Sequence, residues 1–175
     1  MKNGKGLVRI FTGNGKGKTT AALGAVIRAL GHGLRVYVVF FMKGDYPYGE
    51  LSTLSKLSGV KVASFGFRCL TDPANIKPEE IEQAGMALSA ARKAILSGDY
   101  DLVVLDEVNV AVAMKLIELT GVINLIKDKP KGVELILTGR YAGSELLELA
   151  DLATEMVKVK HPYDRGVLAR KGIEY

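Results

Sequence analysis

Hydrophobic positions along the chain alternate between short apolar runs and longer segments in which apolar residues recur every three or four positions. Short runs rich in β-branched residues predict buried strands, and the longer period predicts amphipathic helices. The predicted strands cover residues 7–12, 34–41, 60–64, 101–106, 133–138 and 156–160, and the predicted helices cover residues 18–30, 78–97 and 144–152, with further helical segments before Pro130. This alternation predicts an α/β fold with a mostly parallel sheet and helices on both faces.

Two segments without clear periodicity follow the second and third predicted strands. Residues 43–50, KGDYPYGE, contain turn-forming glycines and a proline, and we interpret them as a flexible functional loop. Residues 65–77 are irregular and hold further turn residues. The tail from residue 161 onward is too polar to assign to an element.

Composition narrows the class of protein. A chain of 175 residues that is 48% hydrophobic fits one globular domain spanning residues 1–175. No apolar run approaches the roughly 20 residues of a membrane helix, and the first residues lack an apolar signal region, so we expect a cytoplasmic protein. A lone cysteine, Cys69, excludes an internal disulfide. The net charge of +5 comes from mixed charges, which favours small polyanions over nucleic acid.

A glycine-rich motif, TGNGKGKTT at residues 12–20, lies between the first predicted strand and its helix. Alternating glycines there allow the backbone to approach phosphate oxygens at a helix N-terminus. Lys18 supplies a point charge, Thr19 a hydroxyl for Mg²⁺, and Thr20 a further hydrogen bond to phosphate. Thr12 stands where the usual motif begins with glycine, and the alternative interpretation is a flexible turn. The placement predicts a P-loop that binds ATP within a P-loop NTPase-like (RecA-like) fold.

Two further strand ends carry candidate phosphate or metal ligands. The apolar run LVVL is followed by Asp106 and Glu107, and one or both carboxylates are expected to hold Mg²⁺ directly or through water. The alternative is a solvated strand end. Arg140 ends another strand at the same edge, where it either clamps a phosphate or is an ordinary surface arginine. His161 has no second histidine nearby, which favours a hydrogen-bonded role over metal ligation.

Four stretches of the sequence resemble the P-loop type of ATP:corrinoid adenosyltransferase: FTGNGKGKTTAA at 11–22, FMKGDYPYGE at 41–50, VVLDE at 103–107 and KHPYDRGVLARKGIEY at 160–175. The resemblance covers essentially the whole chain, and the family's own motif also lacks the leading glycine. It implies transfer of the 5′-deoxyadenosyl group of ATP to the Co(I) of a corrinoid, with release of triphosphate, in cobalamin biosynthesis or salvage.

The resemblance also implies roles for individual residues. ATP would bind in reverse, with its far phosphate deep in the loop and the ribose C5′ toward the corrinoid. The implied catalytic residues are Lys18, Thr19 and Glu107, and the implied Mg²⁺ ligands are Thr19 and Glu107 with Asp106. The implied ATP-binding residues are Gly13, Asn14, Gly15, Lys16, Gly17, Lys18, Thr19, Thr20 and Arg140.

The corrinoid side shows one departure from the family pattern. Where the family carries Gly-Phe-Thr-Trp, this chain reads Gly66-Phe67-Arg68-Cys69. In the family these aromatic residues displace the lower ligand of cobalt so that a flavoprotein can reduce it to Co(I). Cys69 is either a small buried hydrophobe or a contact to the corrin or the cobalt. The candidate corrinoid-binding residues are Phe65, Phe67, Cys69, Tyr46 and Tyr48. The family also implies a homodimer.

Two other function classes remain compatible with a P-loop. An ordinary P-loop ATPase or kinase would use Glu107 to orient water or an acceptor, and it would release ADP. A nucleotide-dependent binding module would hold ATP without turnover. Product analysis separates the three functions.

Overall fold

The computed structural model describes residues 4–44, 46–68 and 71–175. Its centre is a six-stranded sheet in the order β3-β2-β4-β5-β1-β6, in which every neighbouring pair is parallel. The strands are β1 Val8–Thr12, β2 Val36–Phe40, β3 Val60–Ser64, β4 Leu102–Asp106, β5 Glu134–Thr138 and β6 Leu152–Glu155. The predicted α/β fold with a parallel sheet is confirmed.

Helices cover both faces of this sheet, as the hydrophobic pattern predicts. They are α1 Lys18–Gly31, α2 Gly49–Leu54, α3 Pro78–Leu96, α4 Val108–Ala113, α5 Leu119–Asp128 and α6 Ser144–Leu149. One apolar cluster joins α1 and α2 to one face of the sheet, and a larger cluster joins α3, α4, α5 and α6 to the other. Strands β2 and β4 are buried along their whole length because they lie between these two layers. No helix within the described residues is both long and apolar enough to cross a membrane.

The last strand and the helix before it differ from the prediction. The apolar alternation at residues 156–160 is typical of a strand, but that prediction is wrong. The strand β6 is Leu152–Glu155, and α6 ends at Leu149 instead of continuing to Leu152. All four β6 residues are exposed at the sheet edge, and pairing with Arg9–Thr12 of β1 makes them a strand. Backbone pairing of this kind leaves no hydrophobic pattern in the sequence.

The topology brings six segments to one edge of the sheet. Because all six strands are parallel, the segments that follow them leave from the same side. Open α/β sheets bind ligands at this carboxyl edge. The tail contains a short 3₁₀ turn at Pro162–Arg165, and its final residues line the cleft at this edge. The glycine-rich loop, the acidic pair and Arg140 therefore come together there.

Candidate functional site

The glycine-rich loop connects β1 to α1 and surrounds the Lys18 side chain. Gly17 has φ 107° and precedes the first helical residue, Lys18. The Lys18 ammonium donates to the carbonyl oxygens of Gly13 at 2.9 Å and Gly15 at 2.7 Å. Burial lowers the pKa of Lys18, and nearby Arg140 acts in the same direction, while Glu107 opposes them. A buried ammonium at a helix N-terminus is an arrangement suited to a multiply charged anion.

The loop glycines also pack against the chain that follows β6. The Gly15 amide donates to the Met156 carbonyl at 2.6 Å. A Cβ at Gly15 would lie 2.7 Å from the same Met156 oxygen, and a Cβ at Gly13 would lie 2.5 Å from it. Glycines at these positions therefore serve a backbone-to-backbone contact, whereas the sequence alone indicated only an approach to phosphate.

The two acidic residues at the end of β4 have different environments. Asp106 is 1% exposed; Thr138 Oγ1 donates to its Oδ1 at 2.7 Å, and Lys43 Nζ lies 2.9 Å from its Oδ2. Glu107 precedes α4 with φ 64°, and its amide donates to Thr138 Oγ1 at 2.9 Å. Asp106 is thus held inside the protein by two partners, while Glu107 lines the cleft beside the P-loop.

The Glu107 carboxyl is a suitable cation ligand. Burial raises its pKa, and the adjacent Asp106 charge adds to the effect. A bound cation would lower the pKa of Glu107 again, because it favours the ionised carboxylate. Glu107 and Thr19 line the same cleft, so they offer a carboxylate oxygen and a hydroxyl oxygen next to the expected phosphates. Mg²⁺ prefers such oxygen ligands, and the donor set fits it.

The P-loop cleft has a volume of about 690 Å³. Its walls include Arg140, Glu107 and the loop residues from Gly15 to Thr20. Gly13 contributes a carbonyl to Lys18, and Asn14 is an exposed residue at the turn of the loop. The structure therefore brings most of the predicted phosphate ligands to one cleft.

The C-terminal tail closes one side of this cleft, which the sequence did not indicate. Glu174 lies 3.1 Å from the Lys16 ammonium and accepts hydrogen bonds from the Arg170 side chain and amide. The hydrogen bonds from Arg170, with a smaller contribution from Lys16, lower the pKa of Glu174 to about 2. The only indication in the sequence that the tail belongs to the site was its resemblance to the family. That resemblance implied no role for Glu174.

A second cleft of about 510 Å³ shares Thr19, Thr20 and Glu107 with the first. Aromatic residues that include two candidate corrinoid contacts cluster at this cleft. The Tyr46 ring centroid lies 4.8 Å from that of Tyr48 and 5.3 Å from that of Tyr175, and both Tyr48 and Tyr175 line the cleft. The phosphate side and an aromatic side therefore meet at Thr19, Thr20 and Glu107.

The loops that follow β2 and β3 pack against each other through two glycines. A Cβ at Gly44 would lie 2.6 Å from the Phe67 carbonyl carbon, and one at Gly66 would lie 2.7 Å from Met42 Cα. Phe67 is 44% exposed. Phe65 packs on the core and lines a different cavity beside α3, so the structure does not place it with the P-loop residues. The remaining candidate, Cys69, lies outside the described residues.

The parallel sheet and the glycine-rich loop before α1 define the class of P-loop nucleotide-binding proteins. The sequence model of the family ATP:corrinoid adenosyltransferase BtuR/CobO/CobP matches residues 4–175. The chain is 41% identical to the corrinoid adenosyltransferase CobA of Salmonella typhimurium, with 98% of this chain and 86% of the relative covered. It is 37% identical to the corrinoid adenosyltransferase of Escherichia coli K12, with the same coverage, and 37% identical to that of Pseudomonas aeruginosa, with 98% and 84% covered.

The chain belongs to the ATP:corrinoid adenosyltransferase family. It is therefore a transferase with ATP and a corrinoid as substrates, which confirms the resemblance. Nothing in these comparisons favours an ordinary ATPase or kinase.

Proposed function

We propose that the chain binds ATP in the P-loop cleft and transfers its 5′-deoxyadenosyl group to the Co(I) of a corrinoid held on the aromatic side. The supporting observation is that the two clefts share Thr19, Thr20 and Glu107. A substrate with its phosphates on one side of these residues and its ribose on the other would direct C5′ toward the corrinoid. The cobalt electron pair forms the Co–C bond as the bond from C5′ to the triphosphate oxygen breaks.

The P-loop residues would bind and stabilise the leaving triphosphate. Lys18 and Arg140 place positive charge at the P-loop cleft, and the loop amides add hydrogen bonds. Thr19 and Glu107, with Asp106 behind them, would hold Mg²⁺, which neutralises charge on the phosphates when bound. The proposed ATP ligands are Gly13, Asn14, Gly15, Lys16, Gly17, Lys18, Thr19, Thr20 and Arg140.

The aromatic side would align the corrinoid with C5′. We propose Tyr46, Tyr48 and Phe67 as contacts with the corrin ring, with Cys69 at the position of the family tryptophan and Phe65 supporting the loop from the core. Apolar rings suit a flat macrocycle and exclude water from the cobalt. Co(I) is itself a strong nucleophile, so the protein needs alignment and charge stabilisation and no nucleophilic side chain.

Several properties of the whole protein form part of the same proposal. Residues 1–175 would act as a single cytoplasmic domain, assembled as a homodimer. A flavoprotein would supply the electron that converts Co(II) to Co(I). The homodimer and the flavoprotein rest on the family resemblance, whereas the single cytoplasmic domain rests on the length and hydropathy of the sequence.

The reaction products test the proposal. We expect ATP, Mg²⁺ and chemically reduced cob(I)alamin to yield adenosylcobalamin and triphosphate in equal amounts, measured by absorbance and anion-exchange chromatography. Omission of the corrinoid should leave ATP intact. Release of ADP and phosphate at the same rate with and without corrinoid would instead identify an ATPase and overturn the proposal.

A further inference from the structure

Lys43 is a buried lysine that connects three segments of the carboxyl edge. Its ammonium lies 2.9 Å from Asp106 Oδ2 and 3.2 Å from Glu50 Oε1. The same nitrogen lies 4.7 Å from the centroid of the Tyr48 ring. Its backbone amide donates to the Phe65 carbonyl at 2.9 Å. Contacts from one residue therefore reach the segments that follow β2 and β3 and the last residue of β4.

Lys43 keeps its charge although it is buried, because two carboxylates lie next to its ammonium group. Burial by itself lowers the pKa of Lys43, but the charges and hydrogen bonds of Asp106 and Glu50 outweigh it, and the pKa is raised. A buried charge that loses its partner is costly, because neither water nor a counterion then stabilises it. The ammonium and the Asp106 carboxylate consequently fix each other's position.

The Asp106 carboxylate is connected to Glu107 by hydrogen bonds through Thr138. Thr138 Oγ1 donates to Asp106 Oδ1, so the lone pairs of that hydroxyl face the Glu107 amide, which donates to it. Glu107 needs this support because its backbone has φ 64°, a left-handed conformation that is uncommon for residues other than glycine. The hydrogen-bonded chain from Lys43 ends at the backbone of the proposed metal ligand.

We propose that Lys43 is a positioning residue for adenosyl transfer. Through Asp106 and Thr138 it fixes Glu107 on the phosphate side, and through its contact with Tyr48 it fixes the aromatic side. The inference rests on the proposed function and adds a residue that sets the distance between the two halves of the site. Asp106 then acts as the counterion of Lys43 and as the acceptor for Thr138, and Glu107 is the carboxylate that faces Mg²⁺.

The test compares charge-removing and charge-retaining variants of Lys43. Lys43→Gln removes the charge and keeps a hydrogen-bond donor, Lys43→Met removes both, and Lys43→Arg keeps the charge. Lys56→Met is the matched control, because Lys56 is an exposed lysine just after α2. The measurements are the Mg²⁺ concentration that half-saturates ATP binding in calorimetry, the kcat for transfer to chemically reduced corrinoid, and the melting temperature.

We expect Lys43→Gln and Lys43→Met to raise the half-saturating Mg²⁺ concentration and to lower kcat, each by about 10–100-fold, as supporting residues behind metal ligands do. Lys43→Arg and Lys56→Met should remain within about threefold of the wild type, a free-energy difference of about RT. If only local charge mattered, removing the positive charge of Lys43 would lower the half-saturating Mg²⁺ concentration, because less charge would then repel the cation. The direction of the Mg²⁺ shift therefore separates positioning from a change in local charge.

An unchanged or lowered Mg²⁺ requirement in Lys43→Gln would overturn the inference, whatever its melting temperature. If Lys43→Met does not fold, Lys43→Gln and Lys43→Arg still decide the outcome. A wild-type protein that forms no adenosylcorrinoid would contradict the proposed function instead, so the two failures are distinguishable.

Discussion

Replacing Gly15 by alanine tests why the P-loop needs glycine at this position. The backbone φ of Gly15 lies outside the left-handed region, so alanine causes no conformational strain there. The new Cβ would instead lie 2.7 Å from the Met156 oxygen and 2.8 Å from the Val157 oxygen. Both atoms belong to the backbone, which cannot turn aside as a side chain does. We therefore expect Gly15→Ala to destabilise the protein even without a ligand.

The size of the effect follows from two contributions. Forcing an extra carbon into a packed contact costs about 1–3 kcal/mol. Loss of the 2.6 Å hydrogen bond from the Gly15 amide to Met156 adds about 0.5–1.5 kcal/mol. The total is about 1.5–4.5 kcal/mol. In a chain of this size 1 kcal/mol shifts the melting temperature by about 2–4 °C, so the expected decrease is about 3–18 °C.

Thermal unfolding of the ligand-free protein, followed by circular dichroism, measures this decrease. Gly24→Ala is the matched control, because Gly24 is exposed in α1 and a Cβ there has no neighbour within 4 Å. That control should gain about 0.5–1 kcal/mol from the helical preference of alanine. An unchanged melting temperature in Gly15→Ala together with lost ATP binding would refute the packing explanation. The glycine would then serve phosphate approach alone.

Four other perturbations test the proposed site. Lys18→Ala should lower the rate of transfer by about 100-fold or more, because it removes charge at the leaving triphosphate; a near-normal rate would contradict the P-loop role. Glu107→Gln should raise the Mg²⁺ requirement of transfer more than Asp106→Asn does, and the reverse order would move the metal site by one residue. Phe67→Ala should slow transfer when Co(II) must be reduced on the enzyme and spare transfer to chemically generated Co(I). Wild-type rates of the variant in both assays would place the corrinoid elsewhere. The Glu174 carboxyl, with its pKa of about 2, should stabilise the tail above its unfolded pKa and lose that contribution as pH falls toward 2; an ordinary midpoint in a carbon NMR titration would argue against the tail contacts.

The buried strands could be predicted because their environment leaves a pattern in the sequence. Strands β2 and β4 are covered on both faces, and their continuous apolar runs record that burial. Strand β6 is exposed at the edge and depends on pairing with β1, so its sequence, LATE, carries no alternation of apolar and polar residues that would predict a strand. The apolar alternation at residues 156–160 instead belongs to the segment that packs on the P-loop glycines. Helix α2 was missed because it is short and begins with Gly49.

The same distinction holds for the site. The P-loop and the acidic pair could be located because their residue types stand at the ends of predicted strands, where a phosphate and metal site is expected. Which acid faces the cleft could not be predicted, since it depends on Lys43 reaching Asp106 from a loop distant in sequence. The contact between Glu174 and Lys16 joins opposite ends of the chain and likewise leaves no local pattern.

The paired glycines Gly44 and Gly66 have a consequence for redesign of the proposed corrinoid pocket. Each leaves no room for a side chain because the backbone of the other loop occupies that space. Lengthening or repacking one loop to admit a bulkier corrinoid would therefore displace the other loop and the Phe67 it carries. Variant libraries that randomise residues 42–44 and 65–67 together should yield active enzymes that libraries of either loop alone do not contain.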